Sequence, residues 1–253
     1  MSIWFQAQII YRLAIHQLSQ NIFNTLDNKL CQITVLCDLS KAFDIVSHDI
    51  LLNKLENYGI RGKANDFWRS YLSFRRQYTV FNNTPSSIKQ VHHGVPQGSV
   101  PGPLLFLIYV NDMVRISSKV KFLLFADDTT LFIQGSNIDE MVLTLNNELV
   151  QLSSWMKSNK LTINASKIFF MVTCVKNMSL DNASVKIDNC VLSRVNHIKS
   201  LGVTIDEKLT WRPHLLSLRT KISQITGVLY RVRNCLPPEC IRLVYMSTIY
   251  PHL

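Results

Sequence analysis

The chain has 253 residues, is 47% hydrophobic and only 17% charged, and carries a net charge of +10. It can therefore form a sizeable core, and its longest apolar run, residues 104–110, is too short to span a membrane. The basic balance favours a polyanionic partner, although many basic proteins bind no nucleic acid. We expect the six cysteines to be scattered buried thiols of a reducing compartment, because none forms a Cys-x-x-Cys pair.

The first predicted elements are one or two helices over residues 3–26, where apolar residues recur at near-helical spacing. Residues 31–39, CQITVLCDL, form a short apolar and β-branched run that is typical of a buried strand. Strand alternation places Thr34, Leu36 and Asp38 on one face. This pattern predicts a carboxylate, that of Asp38, at the end of a strand.

A short helix is predicted after this strand, with Asp49 able to cap its start and Gly59 as its stop signal. His48 could be a metal ligand, but we favour a histidine that bonds to backbone, because no second ligand lies at a suitable spacing.

Residues 61–76 combine basic and aromatic side chains, which together can hold a nucleic-acid strand through phosphates and stacking. Phe67, Tyr71 and Phe74 fall at helical spacing, so we assign the aromatic residues to the core first. The predicted contacts to a nucleic-acid backbone are then left to Arg61, Lys63, Arg69, Arg75 and Arg76.

A hairpin is predicted over residues 77–93 around a turn at residues 83–85, and the adjacent His92 and His93 are not expected to share one ion. The stretch that follows is rich in glycine and proline, so its backbone can approach a ligand closely. Pro103 fits the first turn of a helix that runs to about Ile116. The alternative is a plain loop before a buried helix.

Residues 121–134, KFLLFADDTTLFIQ, predict two short strands, 122–125 and 129–133, with Asp127 and Asp128 at the turn between them. Adjacent carboxylates repel each other, and a divalent cation removes that cost; hard oxygen ligands favour magnesium or manganese. A solvated Asp-Asp turn is the alternative. Asp38, as a third carboxylate, favours the metal site.

The remaining patterns predict a helix over residues 137–158, a strand over 161–173 with Lys167 near its start, and small strands over 185–205 that end at Leu201-Gly202. A helical pair is predicted over residues 208–242, broken at Pro237-Pro238. Its basic residues could form a nucleic-acid face or simply the solvated side of two helices.

Several stretches resemble, in family order, the reverse transcriptase domain of non-LTR retrotransposons of the LINE-like and jockey-like type. DLSKAFDIVSHDILL (38–52), GVPQGSVPGPLLFLIYVNDM (94–113), FADD (125–128) and NKLTINASKIFFMV (159–172) resemble motifs A, B, C and D. SLGVTIDEKLTWRPHL (200–215) resembles motif E and the segment after it. The chain departs from the family at Pro101, where leucine is usual, and at Ser200, where an aromatic residue is usual.

The resemblance implies an α+β fold: a right-hand polymerase palm, with an antiparallel sheet packed on helices, partial fingers and the start of a helical thumb. We expect a chain truncated at both ends. Its expected parts are a remnant of the fingers (1–30), the palm with motifs A to D (31–180), the motif E or primer-grip region (181–215) and the start of the thumb (216–253).

The resemblance also implies residue roles for RNA-directed DNA synthesis. Asp38 and Asp127, assisted by Asp128 and the carbonyl of Leu39, would hold two Mg²⁺ ions, with Mn²⁺ as an alternative, for in-line phosphoryl transfer. Lys167 would lie near the leaving pyrophosphate. The remaining implied roles are a gate against ribose (Phe43), contacts to the nascent base pair (Gln97 and Gly98) and the primer grip (Leu201 and Gly202).

The implied partners are an RNA template, a DNA primer and deoxynucleoside triphosphates, with no membrane and with a nuclear site of action inside the cell. The alternative is a catalytically inactive remnant of a mobile element that at most binds nucleic acid. A relative from group II introns or telomerase is a third hypothesis, which keeps the chemistry but fits the motif wording less well.

Overall fold

The computed structural model of the chain describes residues 3–164, 167–175 and 184–252, and within these ranges the side chains from Arg12 to Pro251. Contacts divide the chain into two units, residues 1–195 and 196–253.

In chain order, the first unit consists of α1 (Ile3–Asp27), β1 (Cys31–Asp38), α2 (His48–Asn57), α3 (Lys63–Leu72), β2 (Arg76–Gln77), β3 (Val80–Phe81), β4 (Thr84–Pro85), β5 (Lys89–Gln90), α4 (Pro101–Val110), a 3₁₀ helix (Asn111–Arg115), β6 (Lys121–Phe125), β7 (Asp128–Gly135), α5 (Ile138–Ser158), β8 (Phe169–Cys174), β9 (Lys186–Ile187), β10 (Cys190–Val191) and β11 (Ser193–Arg194).

A five-stranded sheet of order β11-β8-β1-β7-β6 forms the centre of this unit. β1 pairs antiparallel with both β7 and β8, and β6 pairs antiparallel with β7, whereas the short β11 runs parallel to β8. The predicted strand at residues 31–39 is confirmed with an end at Asp38. The predicted central hairpin is also confirmed, and the first unit has the α+β architecture that was expected.

The two faces of β1 have different chemistry. Ile33, Val35 and Cys37 are buried in the main hydrophobic core. On the opposite face Gln32 is also buried, and its Oε1 accepts hydrogen bonds from Thr25 of α1 and from Gln134 of β7. The alternation expected of a strand therefore holds, with α1, a single helix, bonded to the polar face.

The start of α2 differs from the prediction. Ser47, not Asp49, holds the N-cap position, and its side chain makes no capping bond; Asp49 lies in the first turn, where its charge favours the positive helix end. The stop signal is confirmed, because the helix ends at Asn57 and Gly59 adopts a φ of +91°.

The assignment of the aromatic residues after α2 to the core is wrong for two of them. Phe67 on α3 is 61% exposed, and Phe74, just beyond the helix, is 86% exposed. Helix α3 packs on α2 through one face only, and the buried residues of that face are Asn65 and Leu72. Trp68 and Tyr71 are partly buried against the core, as predicted.

The predicted hairpin over residues 77–93 exists, but its turn lies earlier. Arg76 pairs with Gln90 and Val80 with Pro85, so Thr84 and Pro85 belong to the returning strand. The turn is Asn82-Asn83, and both residues have positive φ. Asparagine tolerates this left-handed conformation, which a two-residue hairpin loop requires.

Helix α4 begins at Pro101, where proline suits the first helical position because it needs no N–H partner, and Pro103 lies in the first turn, as predicted. It gives way to the 3₁₀ helix at Asn111, short of the predicted end at Ile116. Helix α5 follows the prediction, and Asn137 caps it by accepting from the backbone N–H groups of Asp139 and Glu140. The predicted strand at 161–173 is confirmed only as β8, from Phe169.

The prediction of six separate buried thiols is wrong. The β1–β8 register places Cys31 opposite Cys174, with 4.4 Å between the Cα atoms, and the two form a disulfide. Cys190, Cys235 and Cys240 are exposed. Cys37 matches the prediction, and burial raises the pKa of its thiol to about 12.

The second unit consists of β12 (His197–Ser200), β13 (Val203–Asp206), α6 (Arg212–Val232), α7 (Pro238–Thr248) and a 3₁₀ helix (Tyr250–His252). The predicted helical pair with a break at Pro237 is confirmed. The prediction that the small strands end at Leu201-Gly202 is wrong. These two residues form the turn of the β12–β13 hairpin, and β13 continues after them. In the part of the chain that the structure describes, no helix is long and apolar enough to cross a bilayer.

Candidate active site

The β1–β7 and β6–β7 pairings bring three aspartates to one end of the sheet. Ala126 and Asp127 connect β6 to β7, and Ala126 adopts a φ of 51° to make the turn tight. β7 begins at Asp128, whose register partner on β1 is Asp38. Cross-strand partners share a face of the sheet, so the carboxylate predicted at a strand end meets the pair predicted at the turn.

The charges of these aspartates interact. The pKa of Asp128 is raised, first by lost hydration and then by the negative charges of Asp127 and Asp38, even though much of the Asp128 side chain remains accessible to water. An aspartate whose ionised form is disfavoured in this way is a group that a cation stabilises.

Lys167 provides a positive charge beside this cluster. Its Nζ lies 2.8 Å from Oδ2 of Asp38, and the hydrogen bond to that carboxylate raises the pKa of the lysine. Both side chains are partly exposed, so water screens the ion pair. The lysine predicted from motif D thus contacts the aspartate predicted from motif A.

Among the residues that the structure describes, no three histidine, cysteine or acidic side chains are already gathered as a metal-binding group. The donor chemistry nevertheless fits a divalent ion, because three hard carboxylates repel one another at the same sheet end. Leu39 has a buried side chain and a backbone bridge to Ile163, so it can contribute only its backbone.

The loops that carry motifs A and B are joined through their backbones. The N–H groups of Gly94 and Val95 donate to the carbonyls of Val46 and Phe43, each at 2.8 Å. A Cβ on Gly94 would lie 2.7 Å from the carbonyl oxygen of Asp44. The close approach expected of this glycine-rich loop is therefore made to the protein itself.

Gln97 and Phe43 are held by this junction. Nε2 of Gln97 donates to Oδ1 of Asp44 at 2.7 Å, and the ring of Phe43 packs 4.6 Å from that of Phe106 on α4. Gly98 has a φ of +78°, and no atom lies within 4 Å of the position that a Cβ would take there. Beside the junction lies a cavity of about 560 Å³, lined by Asp44, Arg75, Arg76, Gln77, Val91, His93, Gly94, Val95, Pro96 and Gln97.

Sequence reasoning missed two residues that hold these segments, Asp44 and Tyr109. Asp44 fixes Gln97 by accepting its hydrogen bond. Tyr109 is fully buried; its hydroxyl donates to the carbonyl of Asn159 at 2.5 Å and accepts from the N–H of Ser47 at 3.4 Å. The signal available for Tyr109 was one phenol within an otherwise apolar helix.

The prediction that His48 bonds to backbone is confirmed, since its Nε2 lies 2.8 Å from the carbonyl oxygen of Gly94. The predicted nucleic-acid cations are dispersed: Arg61 bonds to the carbonyl of Glu56, and the guanidinium of Arg75 lies 5.6 Å from the ring centre of Tyr71. Lys63, Arg69 and Arg76 are exposed. In the second unit Leu201 and Gly202 both have positive φ, which suits their two-residue turn.

A sheet backed by helices, with one carboxylate at the end of a central strand and two more at the adjoining hairpin turn, has the architecture of a polymerase palm. Residues 5–205 match the family described as reverse transcriptase (RNA-dependent DNA polymerase), and the chain belongs to this family.

Two curated relatives come from mobile elements. The chain is 29% identical to a probable RNA-directed DNA polymerase from transposon BS of Drosophila melanogaster, and 28% identical to the RNA-directed DNA polymerase from mobile element jockey of Drosophila funebris. Each match covers 94% of this chain but 27% of the relative, so the chain spans about a quarter of their length.

Solved structures of telomerase from Candida tropicalis share the fold. The complex with a fragment of telomeric RNA has a TM-score of 0.54 and the apo form a score of 0.52, both at 13% identity. Both matches cover 79% of this chain, and they cover 32% and 35% of the respective telomerase chains.

Proposed function

We propose that the chain carries the catalytic palm of an RNA-directed DNA polymerase of a mobile element, which adds deoxynucleotides to a primer 3′ end. The observation that supports this most directly is the meeting of Asp38, Asp127 and Asp128 at one sheet end, within a chain of the reverse transcriptase family. The proposed substrates are an RNA template, a DNA primer and deoxynucleoside triphosphates. The proposed site of action is the nucleus, where insertion into chromosomal DNA would take place.

Asp38, Asp127 and Asp128, with the carbonyl of Leu39, would hold two divalent ions, and Mg²⁺ fits their hard oxygen donors best. When bound, the ions supply activation of the primer 3′-hydroxyl and neutralisation of the triphosphate charge. The carboxylate of Asp38, which is now paired with the ammonium group of Lys167, would have to break that ion pair in order to bind a divalent ion. Lys167 would then be free to stabilise the leaving pyrophosphate or to donate a proton to it.

The pocket for the incoming nucleotide would be formed by the junction of motifs A and B. The ring of Phe43 packs against the ring of Phe106, and this support suits a gate that clashes with a ribose 2′-hydroxyl. Gln97 is oriented by Asp44, which suits a contact to the nascent base pair alongside Gly98. In the second unit Leu201 and Gly202 would belong to the primer grip, and residues 216–253 to the start of the thumb.

Primer extension on an RNA template, with Mg²⁺ and deoxynucleotides, tests the proposal. The wild type should extend the primer and Asp127→Asn should not, while both retain RNA binding. Asp139→Asn is the matched control, because Asp139 is an exposed aspartate on α5. If Asp127→Asn extends primers as well as the wild type, the role of Asp127 is wrong. If the folded wild type holds the template–primer without extending it, the chain is the inactive remnant of the alternative hypothesis.

A further inference from the structure

The β2–β5 and β3–β4 pairs form a two-stranded ribbon, residues 74–91, that has no core of its own. Every residue from 76 to 90 is exposed. Large apolar side chains are nevertheless concentrated there, with Phe74 86%, Phe81 76% and Tyr78 60% exposed, and with Val80 and Ile88 also exposed. Such a group of exposed aromatic residues on one short segment marks a binding surface.

The charge of the ribbon restricts the partner. There is no aspartate or glutamate between Asp66 and Asp112, whereas Arg75, Arg76 and Lys89 lie on the ribbon. Gln77 pairs with Lys89 and Arg76 with Gln90, so each strand contributes one cation, in neighbouring cross-strand pairs. A second copy of this chain would bring a net charge of +10 to a surface that is already positive.

The ribbon also lines the cavity that lies beside the junction of motifs A and B. Arg75, Arg76 and Gln77 line the 560 Å³ cavity together with Gly94 and Gln97. Asp44 supplies the acidic side chain of the lining, and its carboxylate is already bonded to Gln97. A polyanionic strand that leaves Gln97 through this cavity therefore meets two arginines and then the exposed aromatic side chains.

We propose that the ribbon is a stacking platform for single-stranded nucleic acid, on which Tyr78 and Phe81 stack with unpaired bases while Arg75 and Arg76 contact phosphates. Stacking on aromatic side chains tolerates any base, and cations hold the backbone without reading sequence. The proposal of a platform rests only on the exposed aromatic side chains and the positive charge of the ribbon. The identity of the strand, an unpaired template base beyond the nascent pair, rests on the proposed function.

Fluorescence anisotropy of the full chain with a labelled poly(U) RNA oligonucleotide, without metal or nucleotides, tests the platform apart from catalysis. Tyr78→Ala and Phe81→Ala should each weaken binding about fivefold or more. Tyr78→Phe and Phe81→Tyr, which keep a ring, should bind as the wild type does. Phe23→Ala, which removes an exposed aromatic ring from α1, is the matched control and should change nothing.

Salt dependence separates the two kinds of contact. Arg75→Gln with Arg76→Gln should reduce the slope of log affinity against log salt by about 1.4, at about 0.7 per lost phosphate contact on a single strand. The aromatic variants should lower affinity without changing that slope. An unchanged slope in the arginine variant would contradict the phosphate contacts.

If Tyr78→Ala and Phe81→Ala bind RNA as tightly as the wild type, the platform is wrong. It is also wrong if the chain binds no RNA and sedimentation instead shows a dimer that these two substitutions dissociate. Failure of the proposed function gives a different pattern. If the chain binds RNA through the ribbon but extends no primer, the platform is supported and the proposed polymerase function is contradicted. If the chain extends primers but its RNA affinity does not depend on Tyr78 and Phe81, the polymerase function is supported and the platform is contradicted.

Discussion

Replacing Tyr109 with phenylalanine should destabilise the first unit through the loss of one hydroxyl. The ring stays and continues to fill the core, while two backbone groups lose their partner. The carbonyl of Asn159, in a residue only 6% exposed, accounts for most of the loss, because a buried unsatisfied acceptor costs about 1–3 kcal/mol. The bond from the Ser47 N–H is 3.4 Å long and adds about 0.5 kcal/mol at most.

The expected loss in free energy of unfolding is thus about 2 kcal/mol, measured by urea denaturation followed by circular dichroism. Tyr58→Phe makes the same substitution at a tyrosine that is 43% exposed and whose hydroxyl bonds to Asn111, so water replaces its partner and the loss should stay below about 0.5 kcal/mol. Equal midpoints for the two variants would refute the bridging role of Tyr109.

Three further predictions concern the site itself. Gly94→Ala should destabilise the chain by clearly more than Gly59→Ala in thermal unfolding: both glycines have positive φ, which costs about 1–2 kcal/mol for alanine, but at Gly94 the new Cβ also meets the backbone of Asp44. Similar losses in the two variants would contradict the tight loop junction. Because the pKa of Asp128 is raised above its ordinary 3.8, the chain in EDTA should lose stability as the pH rises through that raised value, and this loss should be absent from Asp128→Asn. If the melting temperatures of the wild type and Asp128→Asn differ more at low pH than at neutral pH, the repulsion between Asp128 and its neighbouring aspartates is contradicted. Phe43→Val should admit ribonucleotides, measured as the ratio of ribonucleotide to deoxynucleotide incorporation, and an unchanged ratio would remove its gate role.

Patterns with a simple period predicted the fold best. The apolar run that ends in Asp38 and the hairpin around Ala-Asp-Asp predicted three strands, β1, β6 and β7, to within a few residues, because apolar strands flanked by turn residues have few alternatives. The helix at 137–158 was equally clear. Its apolar residues follow a helical period and an asparagine caps its start.

Contacts between distant segments were not accessible from local pattern. The exposure of Phe67 and Phe74 depends on how little of α3 the rest of the chain covers, which helical spacing does not express. The Cys31–Cys174 pair follows from the β1–β8 register, which joins residues 143 positions apart. The bonds of Asp44 to Gln97 and of Tyr109 to Asn159 likewise need the tertiary fold.

For the site, the sequence indicated which residue types are involved, and the structure showed that they lie close together. The register that pairs Asp38 with Asp128 and the ion pair of Asp38 with Lys167 join three motifs that are far apart in the chain. The roles of Phe43, Gln97, Gly98, Leu201 and Gly202 remain predictions, as do the phosphate contacts of the basic residues.

Catalysis by the three aspartates is tested by Mg²⁺-dependent extension of a DNA primer on an RNA template, with the wild type compared to Asp127→Asn and Asp139→Asn. Extension is expected from the wild type and from Asp139→Asn, whereas synthesis by Asp127→Asn should fall to background while its RNA affinity is unchanged. Extension by Asp127→Asn at the wild-type rate, or extension that persists in EDTA, would contradict a metal-dependent role of Asp127.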